Sequence, residues 1–225
     1  MTPPTRAEQK EASRRAILEA ARARFLELGY EHATIRDIAR AAGVSSGSVL
    51  AHFGDKRGLL LACFLDNIAR AQARIWATLD ERAPLLEQLT HCARVLYTAY
   101  AEQPTLSRVM FQETLWPRPQ DPPDDQLAPF LERVAALFRA AKQRGELTRL
   151  PGDGFLAAQG FFALYLSGLI GGLGGHFGEH ASAEANAAAW VAPVRALASL
   201  QLTGLGARAP DEPGDGDVHS DSCEK

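Results

Sequence analysis

Residues 34–56 read TIRDIARAAGVSSGSVLAHFGDK. Thr34 stands where a helix N-cap belongs, since a short hydroxyl can accept from the free N–H groups of a first turn. Ile35, Ile38, Ala39 and Ala42 then recur at helical spacing and give one apolar face. Gly43 ends that helix, and Ser45 can cap a second one, about Ser46–Phe53. Two short helices cross closely only with a small residue in the first, a glycine in the turn and an apolar residue in the second. Ala39, Gly43 and Val49 meet those needs at offsets of zero, four and ten. Size, backbone tolerance and periodicity agree, so the stretch predicts a helix-turn-helix.

The surrounding sequence predicts helix almost throughout. Ile17, Ala21, Phe25 and Leu28 make a stripe on a first helix, about Glu8–Leu28, that Gly29 stops. Asp55 can cap a fourth helix running to about Leu79, on the order of 35 Å at ~1.5 Å per residue. Pro84 suits the first turn of a fifth, Ala83–Glu102. Further helices are expected over Thr105–Leu115, Leu127–Arg144, Phe155–Leu173 and Ser182–Leu202, with WPRPQDPPDD as a loop. Runs of β-branched residues are absent, so the fold class is all-α.

The chain has 225 residues, 46% hydrophobic and 23% charged, which is ordinary globular composition. Its net charge of −3 conceals an uneven distribution. Residues 1–60 carry ten cations against seven anions, while the segment from Gly206 carries two against six. A mildly basic head suits a phosphate partner, and a solvated charged helix accounts for it nearly as well. Three cysteines without CxxC spacing point to neither a disulfide framework nor a zinc cluster. The N-terminus lacks a signal-type apolar region, so a cytoplasmic protein, working at the nucleoid, is expected.

Ile17-Leu18, Ala20-Ala21, Phe25, Gly29 and then ATIRDIARAAGVSSGSVLAHFGDKRGLL resemble the TetR (tetracycline-repressor-like) family of bacterial transcription regulators. The resemblance is close over about residues 13–62. Beyond them it rests on helical character, length and a KQRGEL turn before two long final helices. It implies a DNA-binding head, a core that binds a small ligand, and a homodimer through the last two helices. The expected organisation is a flexible arm (1–12), the helix-turn-helix domain (13–58), a ligand-binding and dimerisation domain (59–205) and a disordered acidic tail (206–225). A palindromic double-stranded operator and a small effector are the implied partners, with no cofactor, no metal and no enzyme activity.

The sequence departs from the family at two typical DNA-contacting positions. Leu50 stands where a Tyr is usual and Ser46 where a Lys is frequent. A division of labour follows. Thr34, Arg36, His52 and Lys56 would hold phosphates, Lys56 beside free N–H groups at a helix start. Ser45, Ser46, Gly47 and Ser48 lie at the turn and helix start, where short hydroxyls can read bases. Leu50 or Ala51 could meet thymine methyls. Arg6, Lys10, Arg14 and Arg15 could add a minor-groove arm, or belong to a solvated helix start.

Three other motifs compete. Gly43–Gly47 spells G-x-S-x-G, but an amphipathic helix leads in where a nucleophile elbow needs a strand. Gly154–Gly175 has no charge over 22 positions, the length of a membrane span, yet seven of them are glycine. A helix buried between a core and a second subunit reads the same way, with small residues permitting close approach. His176 and His180 are four apart in a glycine-rich stretch, a poor frame for metal ligands. For the effector, the expected lining is Met110, Phe111, Trp116, Phe162 and Tyr165, with His91 or Tyr97 as a polar handle. Sparse charge in those helices points to a lipophilic or uncharged ligand, released from or taken up by a repressor. The alternative is a DNA-binding protein of the same fold with a filled core, answering a protein partner or organising the chromosome.

Overall fold

The computed structural model describes residues 5–115 and 127–206. Among the described residues there are nine helices. They are α1 (Arg6–His32), α2 (Ile35–Ala41), α3 (Ser46–Phe53), α4 (Lys56–Thr78), α5 (Leu85–Ala101), α6 (Pro104–Leu115), α7 (Leu127–Gln143), α8 (Phe155–Leu173) and α9 (Ala183–Gly204). Trp116, expected in the effector lining, lies outside the described residues, as do residues 1–4 and all but the first residue of the acidic tail.

The N-terminal arm is corrected by a capping box. The Glu8 amide donates to the Thr5 hydroxyl at 3.3 Å, and the Thr5 amide donates to the Glu8 carboxylate at 2.6 Å. These two bonds satisfy orphan donors at the helix start, so residues 6–12 are helix, not arm. At the other end Gly29 kinks α1 without ending it. Its φ of 76° breaks the ladder, and a last turn follows to His32 before Ala33 donates back to Gly29.

The head is α1, α2, α3 and the first half of α4. Ile17, Ala21, Phe25, Ile38, Ala39 and Val49 form its core, all at most 2% exposed. Its sulfur-containing member, Cys63 of α4, donates to the Leu18 carbonyl, and burial pushes that thiol up to about 12. Asp66 of α4 pairs with Arg22 of α1 and with Arg70 at 2.8 Å. Burial opposes ionisation of Asp66, but the two guanidiniums win and hold its carboxyl below the ordinary range.

The body is built around α5. Thirteen of its 17 residues are buried, and only a narrow polar stripe of Glu87, His91 and Arg94 is left toward solvent. It packs against α4, α7, α8 and most extensively α9. Gly168 and Gly172 of α8 are pressed inward. A Cβ on Gly168 would lie 2.3 Å from Val194, and one on Gly172 would lie 2.2 Å from the Trp190 indole. The sequence suggested that small residues here let two helices approach closely. Gly168 and Gly172 let α8 approach α9 and α5 within one chain. Helix α8 is long and apolar enough to cross a membrane, but Ala158, Phe161, Tyr165, Leu169 and Leu173 are buried in this packing.

Candidate functional site

The turn between α2 and α3 follows from local chemistry. Thr34 caps α2 by accepting from the Asp37 amide at 3.1 Å. Its hydroxyl donates to the Asp37 carboxylate at 2.5 Å, and this bond lowers the Asp37 pKa. Gly43 takes φ of 69°, a left-handed conformation that a side chain would resist. The Val44 amide then donates to Ala39 at 3.0 Å. Ser45 caps α3 by accepting from Ser48 at 3.0 Å. Ser45 therefore serves as a cap on a helix-to-helix turn, the opposite of a strand-led nucleophile elbow. Val49 is the one buried residue of α3 and pins it against the head.

What remains outward is the candidate interface. Gly47, Leu50 and Ala51 form an exposed stripe at i, i+3 and i+4, and Leu50 is 46% exposed. Thr34, Arg36, Arg40 and Ser45 are exposed beside it, while Ser46, Ser48 and His52 are half-buried. Apart from Lys56 at the start of α4, the expected DNA-facing residues are thus accessible and on one short bihelical unit. No lysine or arginine lies on α3 itself. Arg14 of α1 reaches over, its guanidinium 5.6 Å from the centre of the Phe53 ring.

Lys56 is more constrained than its position in the sequence suggested. Its ammonium donates to the carbonyls of Tyr30 at 2.9 Å and Glu31 at 3.2 Å, and lies 4.5 Å from the Tyr30 ring centre. The end of α1 at His32 leaves those carbonyls without helical donors, and Lys56 fills the gap. A lysine has three N–H donors, so one is left for a phosphate. The start of α4 is likewise partly taken. Asp55 caps it by accepting from Gly58 at 2.6 Å. A Cβ on Gly58 would lie 2.1 Å from the Phe53 carbonyl, so a glycine is needed for α3 and α4 to meet here.

The interface is tied to the body by Arg57. Its guanidinium is buried and bonds the Glu113 carboxylate of α6, with a second bond to the Glu113 carbonyl at 2.7 Å. Sequence reasoning missed this pair. The partners are 56 residues apart, and nothing in either helix marks them.

The expected effector residues separate into three places. Tyr97, Phe162 and Tyr165 come together: the rings of Tyr97 and Tyr165 stack at 5.0 Å, and those of Phe162 and Tyr165 at 5.7 Å. Tyr97 is not a free polar handle. It is fully buried, donates to the Tyr165 carbonyl at 2.5 Å and meets the Trp190 ring edge-on. Burial raises the pKa of both phenols. Met110 and Phe111 lie on α6, the first buried and the second partly so. His91 faces the end of α4, its Nε2 2.9 Å from the Thr78 hydroxyl. Burial and then the Arg94 cation hold the imidazole below its usual value. His176 and His180 lie on the turn after α8. No metal-binding group of His, Cys, Asp and Glu occurs among the described residues.

Residues 17–63 match the profile of bacterial regulatory proteins of the tetR family. Over 155 residues the chain is 36% identical to the HTH-type transcriptional repressor BepR of Brucella suis, covering 64% of this chain and 72% of that one. The chain belongs to the tetR family. It is also 50% identical over 58 residues to the HTH-type transcriptional repressor AcnR of Corynebacterium glutamicum, a match to 26% of this chain and only 31% of AcnR's length. Beyond the head, the tetR-family fold extends through the body. The structure of Thermus thermophilus FadR, a tetR-family repressor in complex with lauroyl-CoA, aligns with a TM-score of 0.67 at 23% identity, over 89% of this chain and 99% of that one.

Proposed function

We propose that this tetR-family protein is a dimeric, sequence-specific transcriptional repressor that a small lipophilic or uncharged effector releases from a palindromic operator. The observation that carries the proposal is the outward stripe of α3, held on a capped, tightly packed head. Ser45, Ser46, Gly47, Ser48, Leu50 and Ala51 would enter the major groove, with hydroxyls and apolar side chains reading base edges. Thr34, Arg36, His52 and the remaining N–H of Lys56 would hold phosphates. With no cation on α3, discrimination per base is modest and DNA shape carries more of the specificity.

The dimer is supported by an apolar surface. Four of the seven large exposed hydrophobics among the described residues, Leu156, Ile170, Leu197 and Leu200, lie on α8 and α9. Exposed patches of that kind mark contact surfaces. A two-fold dimer would set its α3 helices about one DNA turn, ~34–36 Å, apart. An effector favouring a different tilt of α4 would change that spacing and lower affinity. The lauroyl-CoA bound by Thermus thermophilus FadR supports a lipophilic effector.

A second reading has its own support. Tyr97, Tyr165 and Trp190 pack ring on ring, with the Tyr97 hydroxyl bonded to the Tyr165 carbonyl, which favours a filled body and a DNA-binding protein that answers no small ligand. One experiment tests both. Bound DNA is selected from a random pool, and a metabolite library is screened for compounds that release it. A palindromic consensus with release by lipophilic compounds supports the repressor. A consensus that no compound weakens supports the filled body, and the absence of any consensus removes both.

A further inference from the structure

A groove of about 410 Å³ opens between α4 and α7, away from the Tyr97 cluster. Ala69, Ala73, Trp76 and Phe130 line its apolar part, with Gln72 and Arg133 as its polar groups. That volume falls in the range of small-molecule sites, ~300–1,000 Å³. Phe130 is 4% exposed and meets Trp76 at 6.1 Å between ring centres, so the floor is held by the core.

Arg133 is the telling residue. Its guanidinium carbon lies 3.9 Å from the Trp76 ring centre, which seats the cation over the indole. No carboxylate among the described residues pairs with it. The adjacent Glu132 is bound by Arg139 at 2.6 Å. A guanidinium over a ring keeps N–H donors, and its fork matches a carboxylate in two-point geometry.

We infer that this groove binds a small apolar monocarboxylate. The carboxylate meets the Arg133 fork and the hydrocarbon part lies along Ala69, Ala73 and Phe130. The ligand would then touch α4, the helix that carries the head, and a regulatory effect of such binding rests on the repressor reading above. The site itself does not.

The test uses the full-length chain without DNA and octanoate as probe, with 1-octanol and octylamine as neutral and cationic counterparts, by titration calorimetry. Octanoate is expected to bind at one site per chain and to bind more weakly as salt is raised. Arg133→Gln, an exposed substitution checked for fold by circular dichroism, should weaken octanoate about tenfold or more, the loss expected for a charge-assisted fork. The same variant should leave octanol unchanged. Ala73→Phe, which fills the groove, should remove octanoate binding. Octanoate binding that ignores both substitutions, octanol or octylamine binding as tightly as octanoate, or no octanoate binding at millimolar concentration overturns the inference. Octanoate is then added to the protein–operator complex. Release supports the regulatory part, and Arg133-dependent binding without release sustains the site and overturns only that part.

Discussion

Helices α3 and α5 treat side chains in opposite ways. Val49 is the buried residue of α3, and Gly47, Leu50 and Ala51 form a stripe left for something outside the molecule. By contrast, α5 buries thirteen of 17 residues and turns even its phenol inward, onto the carbonyl of Tyr165. The head thus holds a short helix by caps and one apolar pin, so that its outer stripe stays free. The body holds a long helix by packing on all but a narrow polar stripe. A head of this kind loses function through its caps and turns, whereas the body loses stability through its volume.

The largest expected effect lies in the body. Phe138 is fully buried, and Phe138→Ala should lower stability by about 3–5 kcal/mol in urea unfolding. Operator affinity, counted per folded molecule by active-site titration, should not change. An affinity that falls with stability would mean that the two regions do not act separately.

Ser45→Ala comes next. It removes the α3 cap and should cost about 1 kcal/mol, a small change in unfolding midpoint accompanied by a clear loss of operator binding. Equal binding by the variant would show that α3 does not need its cap to present the stripe.

Lys56→Ala sharpens the comparison at its boundary. The ammonium bonds two α1 carbonyls and has one donor left. Binding should weaken alike for all sequences, and the slope of log affinity against log salt should lessen by about one. An unchanged slope would assign Lys56 wholly to closing the end of α1.

The smallest effect concerns His91. Its folded pKa is depressed by burial and by Arg94, so the folded state binds fewer protons than the unfolded one. Stability from this group is complete above the unfolded value of about 6.5 and declines as pH falls through the lower folded value. His91→Gln should therefore flatten the loss of stability measured by urea midpoints between neutral and mildly acidic pH. A variant that loses as much on acidification as the parent would place that loss elsewhere.

The comparison also explains what could be read in advance. Thr34, Gly43, Ser45 and Asp55 act on amides within three residues of themselves, so caps and turn are visible in the order of residues. Val49 is visible through periodicity. The capping box at Thr5 and Glu8 is equally local, and it shows that the expected arm is a helix start. Long-range partners leave no such mark. Arg57 finds Glu113, Lys56 finds the end of α1, and Tyr97 finds Tyr165 only when helices far apart in the chain are packed.

By itself the sequence determined the helices and the helix-turn-helix, because capping, glycine conformation and apolar spacing are short-range physics. Which polar groups are free was decided by the tertiary structure. Packing turned Gly168 and Gly172 toward α9, consumed the Tyr97 hydroxyl and most of the Lys56 ammonium, and left the Arg133 fork open over Trp76. A hydrogen bond or ion pair between distant helices depends on where both backbones lie, and no local pattern of residues contains that position.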